Sequence, residues 1–273
     1  MLRPMAITHP PRFEPRRYGI INWLGFTELY RKEVTRFRKV ATQTVAAPVV
    51  TTLLFLAIFT LALGGAVRTV HGVPFSQFLA PGLIVMAMVQ NAFANTSSSL
   101  VISKVQGNIV DVLMPPIAPG EFVAAYALAG VTRGLVVGFV TGLGMLPFVT
   151  VQIPHPLGAL YFGFSASLML ALLGIIGGIW SEKFDHMAAV TNFIITPFAF
   201  LSGTFYSIDR LPPFFYSLAH LNPFFYMIDG FRWSFLDESD TAPWIGALVL
   251  AGVNGALWIV AWVMVKTGYK LKA

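Results

Sequence analysis

The sequence predicts an all-α integral membrane protein with six transmembrane helices, and three observations carry that prediction. Of its 273 residues, 56% are hydrophobic and 11% are charged, against roughly 25% charged in an average soluble domain. Mean hydropathy is +0.72. Apolar residues gather into about six continuous runs, each near the ~20 residues that cross ~30 Å of hydrocarbon. They are Thr44 to Val67, Phe78 to Leu100, Phe122 to Thr150, Leu157 to Trp180, Ala188 to Tyr206 and Trp244 to Val265. Continuity, rather than alternation, disfavours a β-barrel. The helix breakers Pro74, Pro115, Pro116, Pro119, Pro154, Pro156, Pro212, Pro213 and Pro243 fall between the runs.

Residues 1–43 form a basic leader, expected to remain attached because it is far longer than the n-region of a cleavable signal. Between Ile20 and Val40, Trp23, Phe26, Tyr30, Val34 and Phe37 recur at helical spacing, with Arg31, Lys32, Arg36 and Lys39 on other faces. That pattern predicts an amphipathic helix lying in the membrane interface. Its simplest role is an anchor; a lever moving with the first span is the alternative.

Residues 44–267 hold the membrane domain. The second run is polar in its middle, with Gln90, Asn91 and Asn95 near one face, followed by Thr96, Ser97, Ser98 and Ser99. Such groups bond helices together or line a path. The connection 103–120 contains a short helix expected from about Asn108 to Met114, exposing Ile109, Val112 and Leu113. A solvated loop has no use for exposed apolar residues, whereas a docking partner explains them. Arg133 lies ~12 residues, or ~18 Å, into the third run. An arginine at that depth usually faces a bundle interior or an aqueous cavity. The fifth run carries Asn192, Thr196, Pro197, Phe198 and Phe200, a polar-aromatic mixture with a proline kink.

The stretch 207–235 repeats itself. Pro213-Phe214-Phe215-Tyr216 returns as Pro223-Phe224-Phe225-Tyr226. Asp209 and Asn222 can cap two short helices whose first turns hold proline. Two aromatic helices between two spans predict a re-entrant hairpin, tolerable only inside protein or around a cavity. Asp229 and Arg232 then stand as gate residues or as partners for Arg133. The sixth run follows, and 268–273 form a tail.

Lysine and arginine orient the chain. Arg3, Arg12, Arg16, Arg17, Arg31, Lys32, Arg36, Arg38 and Lys39 precede the first span. Lys104, Lys183, Lys266, Lys270 and Lys272 share that side if the spans alternate, leaving Arg68, Arg210 and Arg232 opposite. Both termini are therefore expected in the cytoplasm, and the net charge of +6 is a topology signal rather than a nucleic-acid footprint. There is no cysteine, which excludes disulfides. No phosphate-binding loop, zinc-binding His pair or nucleophile elbow occurs, and His9, His71, His155, His186 and His220 are scattered. The acidic run Asp237, Glu238, Asp240 suits a solvated turn better than the carboxylates of a membrane transferase. A channel or motor-independent secondary transporter would be expected to carry inverted repeats, and the two halves show none.

Asp111-Val112-Leu113-Met114-Pro115-Pro116, then Pro119-Gly120-Glu121, Arg133-Gly134, Leu201-Ser202-Gly203 and Asn222-Pro223, in this order, resemble the permeases of type-two ABC exporters. The resemblance covers nearly all the chain after Trp23; Pro116 stands where a small polar residue is more usual. It implies a non-enzymatic permease subunit of a bacterial inner membrane, moving an amphipathic, lipid-linked or saccharide-type substrate outward. It also implies a homodimer bound to two copies of a separate P-loop ATPase, which carries the ATP and Mg, so that this chain binds no cofactor. Residues 108–116 would then be the coupling helix, with Glu121 near the ATPase-facing gate.

Overall fold

The computed structural model describes residues 21–63, 69–70, 72–208 and 211–271. Arg68, His71, Asp209, Arg210 and Lys272, and the leader before Ile21, lie outside the described residues, as does the expected cap by Asp209.

Among the described residues the fold is all-α apart from a two-stranded antiparallel ribbon, β1 (Thr69–Val70) and β2 (Val73–Pro74). Helix α1 (Trp23–Lys39) precedes a π-helical turn, Thr42–Ala46, and α2 (Ala47–Leu63). After the ribbon come α3 (Phe75–Val105), α4 (Ile109–Leu113), α5 (Pro119–Met145) and α6 (Pro156–Trp180). The fifth span is composite: α7 (Phe184–Val190), a second π turn at Thr191–Ile195, and α8 (Thr196–Leu201). Helices α9 (Pro213–His220) and α10 (Pro223–Leu236) follow, then α11 (Pro243–Thr267). Among the described residues, six helical segments are long and apolar enough to cross a membrane: Thr42–Ala62, α3, α5, α6, Phe184–Leu201 and α11. The six-span architecture matches the expectation. The third and fifth spans end earlier than the apolar runs, because Pro147 and the Ser202-Gly203 turn, with Gly203 at φ +76°, stop helix before the run of apolar residues does.

Both π turns end two residues before a proline, Pro48 in the first span and Pro197 in the fifth. Proline has no N–H to give, and its ring crowds the carbonyl four residues back. A wider turn at that carbonyl relieves the crowding, so the kink expected at Pro197 takes the form of a π bulge.

Helix α3 is the axis of the bundle, with 83% of its most apolar window buried. It is covered by α5 and α6, whose glycines let the backbones meet. A Cβ on Gly130 would stand 2.9 Å from Ala171 Cβ and Thr96 Cγ2, and one on Gly134 2.9 Å from the Met88 carbonyl oxygen. A Cβ on Gly178 would lie 2.9 Å from Leu100 Cβ. Gly130, Gly134 and Gly138 recur every four residues, the spacing that brings helices together in lipid, where apolar burial alone does not drive them. Thr96 Oγ1 crosses the α3–α6 seam to the Ala171 carbonyl at 2.9 Å. By contrast, the first, fifth and sixth spans bury only 11–17% of their windows, leaving broad apolar faces outward.

Helix α1 has a protein-facing side that the sequence reading did not describe. Trp23 is 64% exposed on the protein surface, open to the lipid boundary as an interfacial helix requires. The opposite side lays Leu29, Glu33 and Phe37 against the bundle, and Tyr30 shares a 2.9 Å hydrogen bond with Thr132 of α5. A stripe containing a carboxylate scores as polar in any periodicity count, which hid the buried face.

Candidate functional site

Three groups of residues stand out, one at each end of the bundle and one between them. At the first end, the C-terminus of α3, the start of α5, the end of α6 and the chain after α11 converge. Lys104 Nζ donates to the Ile179 and Ser181 carbonyls at 2.6 Å each. Lys270 meets Glu182 at 2.9 Å, and that hydrogen bond holds the Glu182 carboxyl below its ordinary value. Lys104 and Lys270, both assigned to one side by counting, therefore meet at this end of the fold.

Helix α4 sits at this end, and its faces are not those expected. Ile109 and Val112 are 7% and 5% exposed, packed in a cluster with Leu29 and Phe122. In a helix of 5 residues, positions three apart share a face, and this pair turns inward. Val110, Asp111, Leu113, Met114 and Pro115 turn outward with Asn108. The exposed apolar surface is thus Val110, Leu113 and Met114, which corrects the set read from sequence. Glu121 is occupied by the protein itself: Oε2 accepts from Ala118 N at 2.9 Å and Oε1 from Asn22 N at 2.7 Å. Asn22 caps α1 through Gly25 N and donates Nδ2 to the Pro116 carbonyl at 2.9 Å. One residue ahead of α1 is therefore clasped to both flanks of the α4–α5 loop.

The middle of the bundle holds a buried polar stripe on α3. Asn91 Oδ1 accepts from Arg133 Nη2 at 2.8 Å, while Asn91 Nδ2 donates to the Ala87 carbonyl at 2.9 Å. Asn95 and Ser99, one and two turns on, are reached from α1. Arg36 Nη2 donates to the Asn95 carbonyl at 2.6 Å and to Oδ1 at 3.2 Å. Glu33, fully buried, accepts from Ser99 Oγ at 2.8 Å and from Arg36 Nε at 3.1 Å. Sequence reading singled out Gln90, Asn91, Asn95 and Arg133 but missed Glu33, Arg36 and Ser99 as one unit. The available signal was Leu29, Glu33 and Phe37 at four-residue spacing, a face with one acid in it.

Two cavities flank the stripe. One of about 520 Å³ lies between α2, α3, α5 and α8 and is lined by Gln43, Thr51, Gln90, Asn91 and Arg133 among others. The second, about 400 Å³, lies between α3 and the fifth span and includes Gln90, Ser97, Ser98, Thr191 and Thr196. Both touch a proline-linked π segment. Asn192 points to neither and is exposed.

At the far end, α9 and α10 make the hairpin of the doubled motif. Asn222 Oδ1 accepts from Phe224 N at 3.0 Å at the start of α10, and Asn222 Nδ2 donates to the Phe198 carbonyl of α8 at 2.7 Å. Pro223 occupies the first turn, and Tyr226 OH closes back on the His220 carbonyl at 2.9 Å. Phe214 and Tyr216 on α9 are exposed. Asp229 and Arg232 are 2% and 4% exposed and brace the fold. Asp229 accepts from Asp240 N at 2.8 Å, Thr241 N at 3.0 Å and Thr241 Oγ1 at 2.7 Å, holding the turn into α11. Arg232 donates to the Gly203 carbonyl at 2.7 Å and lies 3.9 Å over the Phe78 ring. Phe78 is ~20 Å along α3 from Asn91 at 1.5 Å per residue. Asp229 is therefore not the partner of Arg133, whose described hydrogen bond goes to a neutral amide. Asp229→Ala is expected to lower the thermal midpoint in detergent by the equivalent of about 2 kcal/mol, since charged hydrogen bonds of this kind contribute about 1.5–3. Asp229→Asn keeps one acceptor and should fall between. An unchanged midpoint for the alanine variant would mean the turn into α11 holds without it.

Residues 25–236 match the family model described as ABC-2 type transporter. The chain is 35% identical over 253 residues to the inner membrane transport permease YadH of Escherichia coli K12, covering 92% of this chain and 98% of that protein. It is 25% identical over 198 residues to nodulation protein J of Rhizobium leguminosarum bv. viciae, covering 71% and 74% of the two chains.

Proposed function

The chain belongs to the ABC-2 type transporter family, and from that premise we propose that it is the membrane subunit of an ATP-driven exporter of a bacterial inner membrane. The motor is a separate P-loop ATPase, which supplies ATP and Mg; the permease works as a homodimer and carries an amphipathic, lipid-linked or saccharide-type substrate. Both termini and α4 then face the cytoplasm, in keeping with the basic end of the bundle, and the α9–α10 hairpin lies outside.

One observation carries this reading. Helix α1 joins the two ends of a force path: Asn22 is bonded to Pro116 and Glu121 beside α4, and Arg36 and Glu33 are bonded to Asn95 and Ser99 in the interior stripe. A push on α4 by a closing ATPase reaches α5 directly and the stripe through α1. The leader helix is then the lever rather than only an anchor. The two π bulges lie beside the cavities, and such bulges frequently mark functional sites. They are the natural hinges for reshaping a path between the first, second and fifth spans. Phe214 and Tyr216, exposed on the outer hairpin, remain the candidates for a lid, while Asp229 and Arg232 hold its base.

The test is co-purification with the cognate ATPase and export in cells. Val110→Asp and Met114→Asp, each adding charge to the outward face of α4, should lose most of the bound ATPase and at least tenfold of export while inserting and folding normally. Asp111→Arg and Leu113→Asp belong to the same face and should behave alike. Full ATPase retention in all four variants would remove α4 as the docking element. Transport by the purified chain without ATP would overturn the motor-driven reading itself.

A further inference from the structure

Among the described residues, the charges within the bundle do not balance. Arg36 is neutralised by Glu33 at 3.1 Å and shares two further bonds with Asn95. Arg133 is different. It is 9% exposed, its one described hydrogen bond goes to the neutral Asn91 side chain, and Nε has no hydrogen-bond partner among the described residues. Among those residues no carboxylate lies within ion-pair distance of it. Asn91 cannot turn away, because its Nδ2 is committed to the Ala87 carbonyl. A guanidinium is charged at every physiological pH, and a buried cation without a counterion is costly. Something else is expected to supply the negative charge.

The space for it is present. Arg133 lines the cavity of about 520 Å³, within the roughly 300–1,000 Å³ range of small-molecule sites. Gln43, Thr51 and Gln90 offer further donors on its wall, and Phe55, Met86 and Phe205 make the rest of it apolar. A guanidinium with free donors, amide and hydroxyl groups beside it, and an apolar wall match the two parts of an anionic amphiphile. We propose that Arg133 is the receptor for an oxyanion headgroup, a phosphate or carboxylate, whose acyl or prenyl chain lies along Phe55 and Phe205. The headgroup has two possible sources, the exported molecule or a resident membrane lipid. The choice between them rests on the exporter reading above; the site itself does not.

The experiment uses the purified permease–ATPase complex in a neutral detergent. Dioctanoyl phosphatidic acid is titrated without ATP, beside dioctanoylglycerol, which has the same chains and no phosphate. Wild type should bind the phosphate-bearing probe at least tenfold more tightly. Arg133→Gln, which keeps a polar amide and removes the charge, should bring the ratio to about one, and Arg133→Lys should retain part of it. Thr51→Trp, which fills the cavity and leaves Arg133 in place, should remove binding. A tenfold preference that survives in correctly folded Arg133→Gln, or binding unaffected by Thr51→Trp, overturns the proposal. Adding ATP then separates the sources: probe released during turnover occupies the site as cargo, and probe retained occupies it as lipid. Because the titration is done without ATP, a complex that exports nothing would end the exporter reading and leave the Arg133 site standing or falling on its own measurement.

Discussion

Glu33→Ala is expected to be among the most damaging single substitutions in the protein. The carboxylate is fully buried and holds Arg36 and Ser99 at once. Removing one member of a buried pair strands the other, at about 3–5 kcal/mol; the Arg36 side chain is 32% exposed, which places the expected loss near the lower end of that range. Thermal unfolding in detergent, followed by fluorescence-detected size exclusion, reads the effect. Glu33→Gln keeps an acceptor for Ser99 and should lie between wild type and alanine. The decisive comparison is the double variant Glu33→Ala with Arg36→Ala. Because it strands no charge, it should melt above Glu33→Ala alone. If the double variant melts lower by the sum of the two single effects, the pair is not coupled and α1 is held by apolar contacts. Export should also fall in the double variant despite its recovered stability, because the link from α4 to the α3 stripe is gone.

Gly174→Val should separate α3 from α6. A Cβ at this position would lie 2.7 Å from the Phe93 carbonyl oxygen and would collide with Thr96 Oγ1. The obstacle at Phe93 is backbone, so no rotamer relieves it, and the Thr96 bond to Ala171 must open as the helices part. Overpacking of this kind costs about 1–3 kcal/mol, occasionally more, and the seam it strikes runs through the core of the bundle. Gly252→Val on α11 is the control, since a Cβ there meets nothing within 4 Å. The Gly174 variant should lose most of its monodisperse protein, and the Gly252 variant should resemble wild type. Equal loss in both would assign the effect to helix propensity rather than to packing.

These two positions differ in how readable they were. The spacing of Gly130, Gly134 and Gly138 and the pair Gly174 and Gly178 are plain in the sequence, and small residues every four positions are a general sign of close helix contact. Glu33 is harder to see. An acid in a basic amphipathic leader looks solvated, and its partner Ser99 stands 66 positions away. Arg133 and Asn91 were each legible as polar groups at membrane depth, but their pairing was not. The α4 helix was legible as an element and misread in its facing, because a helix of one turn has too little periodicity to show which side is buried.

The sequence by itself determined the class of the protein, the six spans and the two proline-started helices of the hairpin. Each of these follows from local physics: hydrocarbon thickness sets the length of an apolar run, and backbone hydrogen bonding inside lipid requires that run to be helical. Tertiary structure alone decided that α1 docks through Glu33, that Ile109 and Val112 turn inward, that Asp229 braces α11 and that no described carboxylate pairs with Arg133. Those outcomes depend on the rotation of each helix about its axis and on the point where two helices cross. The rotation is set by contacts between residues tens of positions apart, which no local pattern encodes.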